Sequence, residues 1–423
     1  MTFSKIVLSN GLLVLLKEIR TAPLISQWLW YRVGSRYEVP GITGISHWVE
    51  HMMFKGTDSF PANQLDKTIS RTGGSWNART SMDWTVYYEN MPADQIELTL
   101  KLEADRMRNS IFDPKEVSAE RTVIISERQG RENNPLFLLR EKLQATAFHV
   151  HPYRHMVIGD LVDLQAIQRD QLFNFYRTYY VPNNAILCLA GDFGTQDMLA
   201  QISAYYEDIP GGDVPSRQKR KEPEQKKQRR ALVEGPGKTT FIQIGYRTPQ
   251  ANHPDFFPML VLSSILTGPT NLNRFGAGLS NKTSRLHRAL IDTELAVGIG
   301  GSLTSTIDPF LYMITLTLHP QQQSAKSLVA LEGEIKRIQD NPPPEEEVTR
   351  ALKQARALFA YGSESIPNQA FWLGYAEIFA DYSWFLTYLD NLTQVTPADV
   401  QRIAQMYLRP QNRTLGIYQP HKV

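Results

Sequence analysis

A single cysteine among 423 residues, Cys188, excludes an intrachain disulfide and any need for an oxidising compartment. It lies within Ala185-Ile186-Leu187-Cys188-Leu189-Ala190, an apolar run in which a small buried thiol is a packing residue and nothing nearby would activate it. Long hydrophobic runs are also missing: no stretch approaches the roughly 20 residues of a membrane span. The early run Gly11 to Leu16 is short and follows the turn signal Ser9-Asn10-Gly11, so it reads as a strand rather than a signal peptide. A cytoplasmic location without a membrane span is expected. Charge of one sign is lacking too, because 45 basic residues face 43 acidic ones for a net +2, and no global field favours nucleic acid as a partner.

What is present is enough apolar residue, 42%, to bury more than one core over this length. Residues 211 to 230 separate two longer stretches of mixed strand and helix patterning. They open on Gly211-Gly212-Asp213-Val214-Pro215 and continue with Arg217, Lys219, Arg220, Lys221, Lys226, Lys227, Arg229 and Arg230. Glu222, Pro223 and Glu224 interrupt that basic run and no aromatics interleave it, so a solvated connector is expected rather than a nucleic-acid patch. The expected domains are therefore 1–210 and 231–423, joined by 211–230.

The two stretches carry matching patterns. Tyr179-x-x-Pro182-x-Asn184 corresponds to Tyr407-x-x-Pro410-x-Asn412 at an offset of 228 residues, and Pro92 corresponds to Pro320 at the same offset. Thr80-Ser81-Met82-Asp83 with Tyr87 corresponds to Ser305-Thr306-Ile307-Asp308 with Tyr312 at an offset of 225. A nearly constant offset indicates duplication of one unit. Strand-period segments such as Trp84 to Glu89 and Thr239 to Arg247 alternate with helical-period segments such as Gln95 to Arg108 and Val117 to Arg128. The predicted class is α+β: two homologous domains, each a largely antiparallel sheet with helices on one face.

Chemistry concentrates at His47-Trp48-Val49-Glu50-His51. On a helix, positions i, i+3 and i+4 share a face, so two imidazoles and a carboxylate point to one place, the donor set of a zinc hydrolase. A catalytic zinc takes three protein ligands and keeps one position open. His47 and His51 supply two, and many acids could supply the third. Glu120 and Glu127 stand out because seven residues, two helical turns, place them on one face.

His47 through Thr57, HWVEHMMFKGT, resembles the signature of the pitrilysin, insulinase and mitochondrial processing peptidase family, the zinc peptidases with an inverted motif. That family places a ligand Glu about 75 residues after the second His, with another Glu seven residues before it, where Glu127 and Glu120 stand. Gly73-Gly74-Ser75-Trp76-Asn77-Ala78-Arg79-Thr80 resembles its edge-strand motif, and His151-Pro152-Tyr153 with Ile158-Gly159 its later landmark. His149, His151 and His155 invite a second metal site, but His151-Pro152 belongs to that landmark, which is unrelated to zinc and implies a structural or loop role. The resemblance implies one Zn2+ per chain held by His47, His51 and Glu127, with Glu50 as general base and Glu120 orienting a ligand from behind. It further implies that Asn77, Ala78 and Thr80 receive an extended peptide, and that Phe54 lines a pocket beside the scissile bond.

The second stretch has no His or Glu around Phe256 to Gly268, the region equivalent to the motif. Family members that act alone also carry an Arg, and a Tyr seven residues later, in this half. After Ser284-Arg285-Leu286-His287-Arg288-Ala289-Leu290 those positions read Ile291 and Val297 or Gly298. The resemblance therefore implies a zinc-bearing subunit, partnered by a homologous zinc-less chain that supplies the Arg/Tyr pair, enclosing peptides or unfolded segments in a clam-shaped chamber. A homodimer is the less favoured arrangement. Thr267 to Asn281 resembles an insertion at the site of the family's glycine-rich loop, where a mobile surface loop is expected and a substrate-guiding loop is the alternative. The alternatives are a core-like structural subunit without activity and a zinc-bearing peptide receptor.

Overall fold

A computed structural model describes residues 3–216, 220–270, 272–273, 278–320 and 322–421, and the backbone of Asn63. Arg217 and Lys219 of the basic run, and Arg274, Phe275, Gly276 and Ala277 of the glycine-rich segment, lie outside the described residues. Among the described residues, eleven strands form two sheets. β1 (Ser4–Val7), β2 (Leu13–Glu18), β3 (Leu24–Tyr31), β4 (Ser75–Thr80), β5 (Thr85–Pro92) and β6 (Ala185–Gly191) pair in the order β1-β2-β6-β3-β5-β4. β7 (Arg229–Gly235), β8 (Phe241–Thr248), β9 (Ala296–Ser302), β10 (Phe310–Leu318) and β11 (Arg413–Pro420) pair as β7-β11-β8-β10-β9.

Without β1 the two orders are the same. Each sheet has one parallel pair, β2 with β6 and β7 with β11, and its other pairs are antiparallel. The repeated Tyr-x-x-Pro-x-Asn makes the same turn twice: Asn184 Nδ2 donates to Tyr179 O at 2.8 Å, and Asn412 Nδ2 to Tyr407 O at 2.7 Å. Each turn is a short 3-10 segment that leads into β6 or β11, the strand that forms its sheet's parallel pair. The fold is thus a two-domain α+β protein built on one repeated topology.

The spatial units differ from the sequential expectation in two segments. One unit comprises Met1–Gln129, His155–Lys219 and Glu364–Tyr382, and the other Gly130–Arg154, Arg220–Ser363 and Ser383–Val423. Each half thus lends the other a helix. Ile366–Phe379, from the later half of the chain, packs on β3 and β6, where Phe371 and Tyr375 meet Trp30 and Trp28 meets Phe371. Its Gly374 lies so close to Trp30 that a Cβ would stand 2.2 Å from Nε1. Pro135–Ala147, from the earlier half, packs on β7, β8 and β11. These helices cover the sheet faces that single-faced packing would leave bare, because β3 and β8 are buried on nearly every residue and so need cover on both sides.

The connector is also less solvated than expected. Glu222 accepts the N–H groups of His149, Val150 and His151 at 2.8, 2.8 and 2.9 Å and pairs with Arg247 at 3.0 Å, while Gln225 is buried. His151 pairs with Asp308 at 3.0 Å. Cys188 is buried on β6, and among the described residues no helix is long and apolar enough to cross a membrane.

Candidate metal centre

The pentad lies on the helix Ile45–Met52, which starts after Gly44 at φ 88°. Glycine is needed there twice over, for the left-handed backbone and because a Cβ would stand 2.6 Å from Ile158 O. Glu38 caps the start, accepting Gly44 N–H at 2.8 Å and Ser46 N–H at 3.0 Å, and a carboxylate suits the positive end of a helix. His155 holds Glu38 from behind at 3.0 Å. Asp163 adds three contacts, to Gly41 N, Thr43 N and Thr43 Oγ1 at 3.1, 3.0 and 2.6 Å. His155 to Asp163, the stretch that contains Ile158-Gly159 of the landmark, thus clamps the start of the motif helix.

Glu120 and Glu127 lie on the helix Pro114–Glu132. Arg121 on that helix stacks over Trp48 at 4.7 Å and donates to the carbonyls of Leu164, Gln165 and Ile167, so the two site helices are fixed to each other away from the motif face. Arg128 donates to Gly159 O at 2.7 Å.

His47, His51 and Glu127 bring donor atoms within 4.8 Å of one another, the one such cluster among the described residues. Glu127 Oε2 stands 3.8 Å from Nε2 of each histidine. Tetrahedral zinc with bonds of about 2.1 Å asks for donors roughly 3.4 Å apart, so the two Glu127 separations fit such an ion after shifts of a few tenths of an ångström. Glu120 Oε1 lies 2.7 Å from His51 Nδ1 and its Oε2 lies 2.6 Å from Lys55 Nζ. The His51 hydrogen bond, aided by Lys55 and opposed by burial, lowers the Glu120 pKa to about 2. An ionised carboxylate only accepts, so Nδ1 of His51 carries the proton and Nε2 presents its lone pair toward Glu127. Burial works against a charged His51, yet Glu120, Glu50 and Glu127 together raise its pKa. The field that favours imidazolium there favours any cation.

Glu50 is almost fully buried, and desolvation raises its pKa above the usual carboxylate range although Thr80 and His51 pull it down. Thr80 Oγ1 donates to Glu50 Oε2 at 2.5 Å. The hydroxyl thus faces Glu50, a contact that spacing alone could not reveal. Lys55 and Glu38 were likewise hidden: Lys55 lies within the motif run with no assigned partner, and the capping by Glu38 depends on a loop closure.

β4 is the outer strand of its sheet. Ser81 N–H closes the hairpin on Trp84 O at 2.8 Å, and antiparallel alternation then turns the backbone groups of Trp76, Ala78 and Thr80 away from β5. The exposed Asn77 covers one of them, its Oδ1 accepting Ala78 N–H at 2.8 Å. Phe54 is half-buried against Trp76, ring centroids 4.7 Å apart, and over the fully buried Arg106 guanidinium at 5.2 Å. In the later half, the helix Phe256–Thr267 occupies the motif helix's place in the topology and is buried on every residue. Ile291 ends the short helix Arg285–Leu290, and Val297 and Gly298 lie on the outer strand β9.

Comparison with known proteins places the chain in a family. Residues 13–161 match the sequence model of Insulinase (Peptidase family M16), and residues 166–355 match that of the Peptidase M16 inactive domain. The chain is 27% identical to a "Zinc protease PqqE" of Helicobacter pylori over 98% of its own length and 92% of that protein. It is 26% identical to a "Mitochondrial-processing peptidase subunit beta" of Lentinula edodes over 97% and 88%. A crystal structure of a protease from Helicobacter pylori superposes with a TM-score of 0.93 at 26% identity, covering 99% of this chain and 100% of that one. With two adjacent models of one family together spanning most of its length, the chain belongs to the insulinase family, peptidase family M16.

Proposed function

We propose that this chain is a zinc-dependent endopeptidase that binds one zinc ion through His47, His51 and Glu127 and uses Glu50 as general base. The convergence of two imidazoles and a carboxylate beside a buried, basicity-raised Glu50 carries the proposal. Zinc at that point supplies Lewis acidity and a water acidic enough to ionise near neutral pH. Glu50 takes the proton from the attacking water and returns it to the departing amine. Glu120 keeps the His51 ring oriented. An extended peptide adds along β4, bonding to the outward backbone of Ala78 and Trp76 once Asn77 releases Ala78 N–H, and a side chain beside the cut rests on Phe54.

Peptides or unfolded segments are the substrate class, enclosed in a chamber that excludes folded proteins. The partner is a homologous chain without the metal motif, supplying the Arg and Tyr that Ile291 and Val297 or Gly298 cannot; the name of the Lentinula relative, a subunit, favours a pair over a lone chain. Zinc content and cleavage of a quenched peptide library test this, with the chain alone and mixed with such partners. One zinc per chain and turnover only in the mixture, lost in Glu50→Gln, is the expected result. Equal turnover by the chain alone removes the pairing, and bound zinc without turnover in any mixture removes the enzyme.

A further inference from the structure

Thr80 ends β4, the strand proposed to receive the peptide, yet its hydroxyl is turned onto Glu50 Oε2 at 2.5 Å. The hydroxyl of an edge-strand residue is therefore engaged by a buried acid, and its position is fixed from behind. Thr85 Oγ1, 3.4 Å from the Thr80 hydroxyl, is itself engaged with Val33 O at 3.0 Å. The turn after Thr80 is held where Ser35 and Arg36 donate their N–H groups to Ser81 O and Met82 O, at 3.2 and 2.8 Å. Arg36 and Asp83, both nearly inaccessible, stand 3.8 Å apart beneath it.

A carboxylate oxygen held by a hydroxyl donor rotates less freely, and a general base must meet its proton at hydrogen-bond distance in one orientation. We infer that Thr80 is a positioning residue for Glu50: it fixes Oε2 and leaves Oε1 to take and return the proton. Because Ala78 lies two residues away on the same strand, one rigid element sets both the register of the bound peptide and the direction of the base. The inference rests on the peptidase function proposed above.

The test compares Thr80→Val, which keeps the shape and removes the hydroxyl, with Thr80→Ser, which keeps the donor. Turnover is measured in whichever form is active, the chain alone or the pair. Equilibrium binding of a labelled peptide is measured in the inactive Glu50→Gln background, and zinc content and circular dichroism confirm that each variant is loaded and folded. Thr80→Val should lower kcat about 10- to 100-fold, the usual effect of losing a partner that orients an active group, with KM, peptide affinity and zinc content unchanged. Thr80→Ser should recover most of the rate. Full turnover in Thr80→Val, or a loss of peptide affinity as large as the loss of rate, overturns the positioning role and returns Thr80 to plain structure or substrate contact. If Glu50→Gln itself turns over like wild type, the peptidase function falls first, and the Thr80 role falls with it for that separate reason.

Discussion

The two halves share strand order, the single parallel pair and the Asn-to-Tyr turn, but among the described residues only the earlier one carries a cluster that could hold a metal ion. The difference lies in one helix. Ile45–Met52 turns His47, Glu50 and His51 toward Glu127, whereas Phe256–Thr267, in the same place in the topology, is apolar almost throughout and buried on every residue. The frame therefore does not depend on the chemistry. A sheet of this order folds around a polar, cation-seeking helix face or around a plain hydrophobic one, and the later half shows what the unit looks like when packing alone decides its residues. The helix starts diverge in the same way. Glu38 points its carboxylate at backbone N–H groups, whereas Asp255 at the start of the later helix binds side chains, Arg402 at 2.9 Å and Tyr407 at 2.7 Å.

Removing one donor breaks the comparison most completely. His51→Ala should make the earlier half as inert as the later one: zinc measured by atomic emission should fall from one per chain to background, and turnover should go with it. Glu120→Gln is a smaller version. The fold and the three donors remain but the carboxylate behind His51 is gone, so zinc affinity by competition with a chelator should weaken about 10- to 100-fold. Unchanged affinity would mean that Lys55, rather than His51, is the significant partner of Glu120.

Glycines sharpen the contrast at the level of the backbone. Gly44→Ala places a Cβ at φ 88°, within 2.6 Å of Ile158 O, and should destabilise the chain by about 1–3 kcal/mol in chemical denaturation while loosening the metal helix. Gly300→Ala, on β9 of the later half, meets nothing within 4 Å of the added carbon and should change stability by less than about 0.5 kcal/mol. Equal effects would show that the clamp around Gly44 yields more readily than the packing indicates.

Local relations were the legible ones. The i, i+3, i+4 spacing of His47, Glu50 and His51 and the two-turn spacing of Glu120 and Glu127 need only helical geometry, and the structure provides both helices. The repeat was legible because its turn uses the same three residue types twice. The pairing of Glu127 with a motif about 75 residues away came only through resemblance, since no local rule joins two helices at that separation. The exchange of Pro135–Ala147 and Ile366–Phe379 between units was hidden because amphipathic or apolar helices announce that they need a sheet, not which sheet. The Thr80 hydroxyl illustrates the finest limit. Strand alternation gives the side of the sheet, and only the placement of the motif helix beside β4 turns that side toward Glu50.

The smallest effects expected are at the two helix starts, and they run in opposite directions on the pH scale. Burial opposes a charged His155, but Glu38, the Ser35 carbonyl and Asp160 outweigh it and raise its pKa above 6.5. The His155 proton therefore stabilises the folded chain fully below about pH 6.5, and this contribution is lost as pH rises through the raised value. Burial likewise opposes a charged Asp255, but Arg402 and Tyr407 prevail and lower its pKa below 3.8. That contribution is present above about pH 3.8 and is lost as pH falls through the lowered value. Melting temperatures of His155→Gln and Asp255→Asn, each compared with wild type across pH, should accordingly converge with wild type at opposite ends: the first on the alkaline side, the second on the acid side. If both variants converge at the same end, the two helix starts are held by one kind of charge after all, and the duplicated units are more alike in their electrostatics than their helices are in sequence.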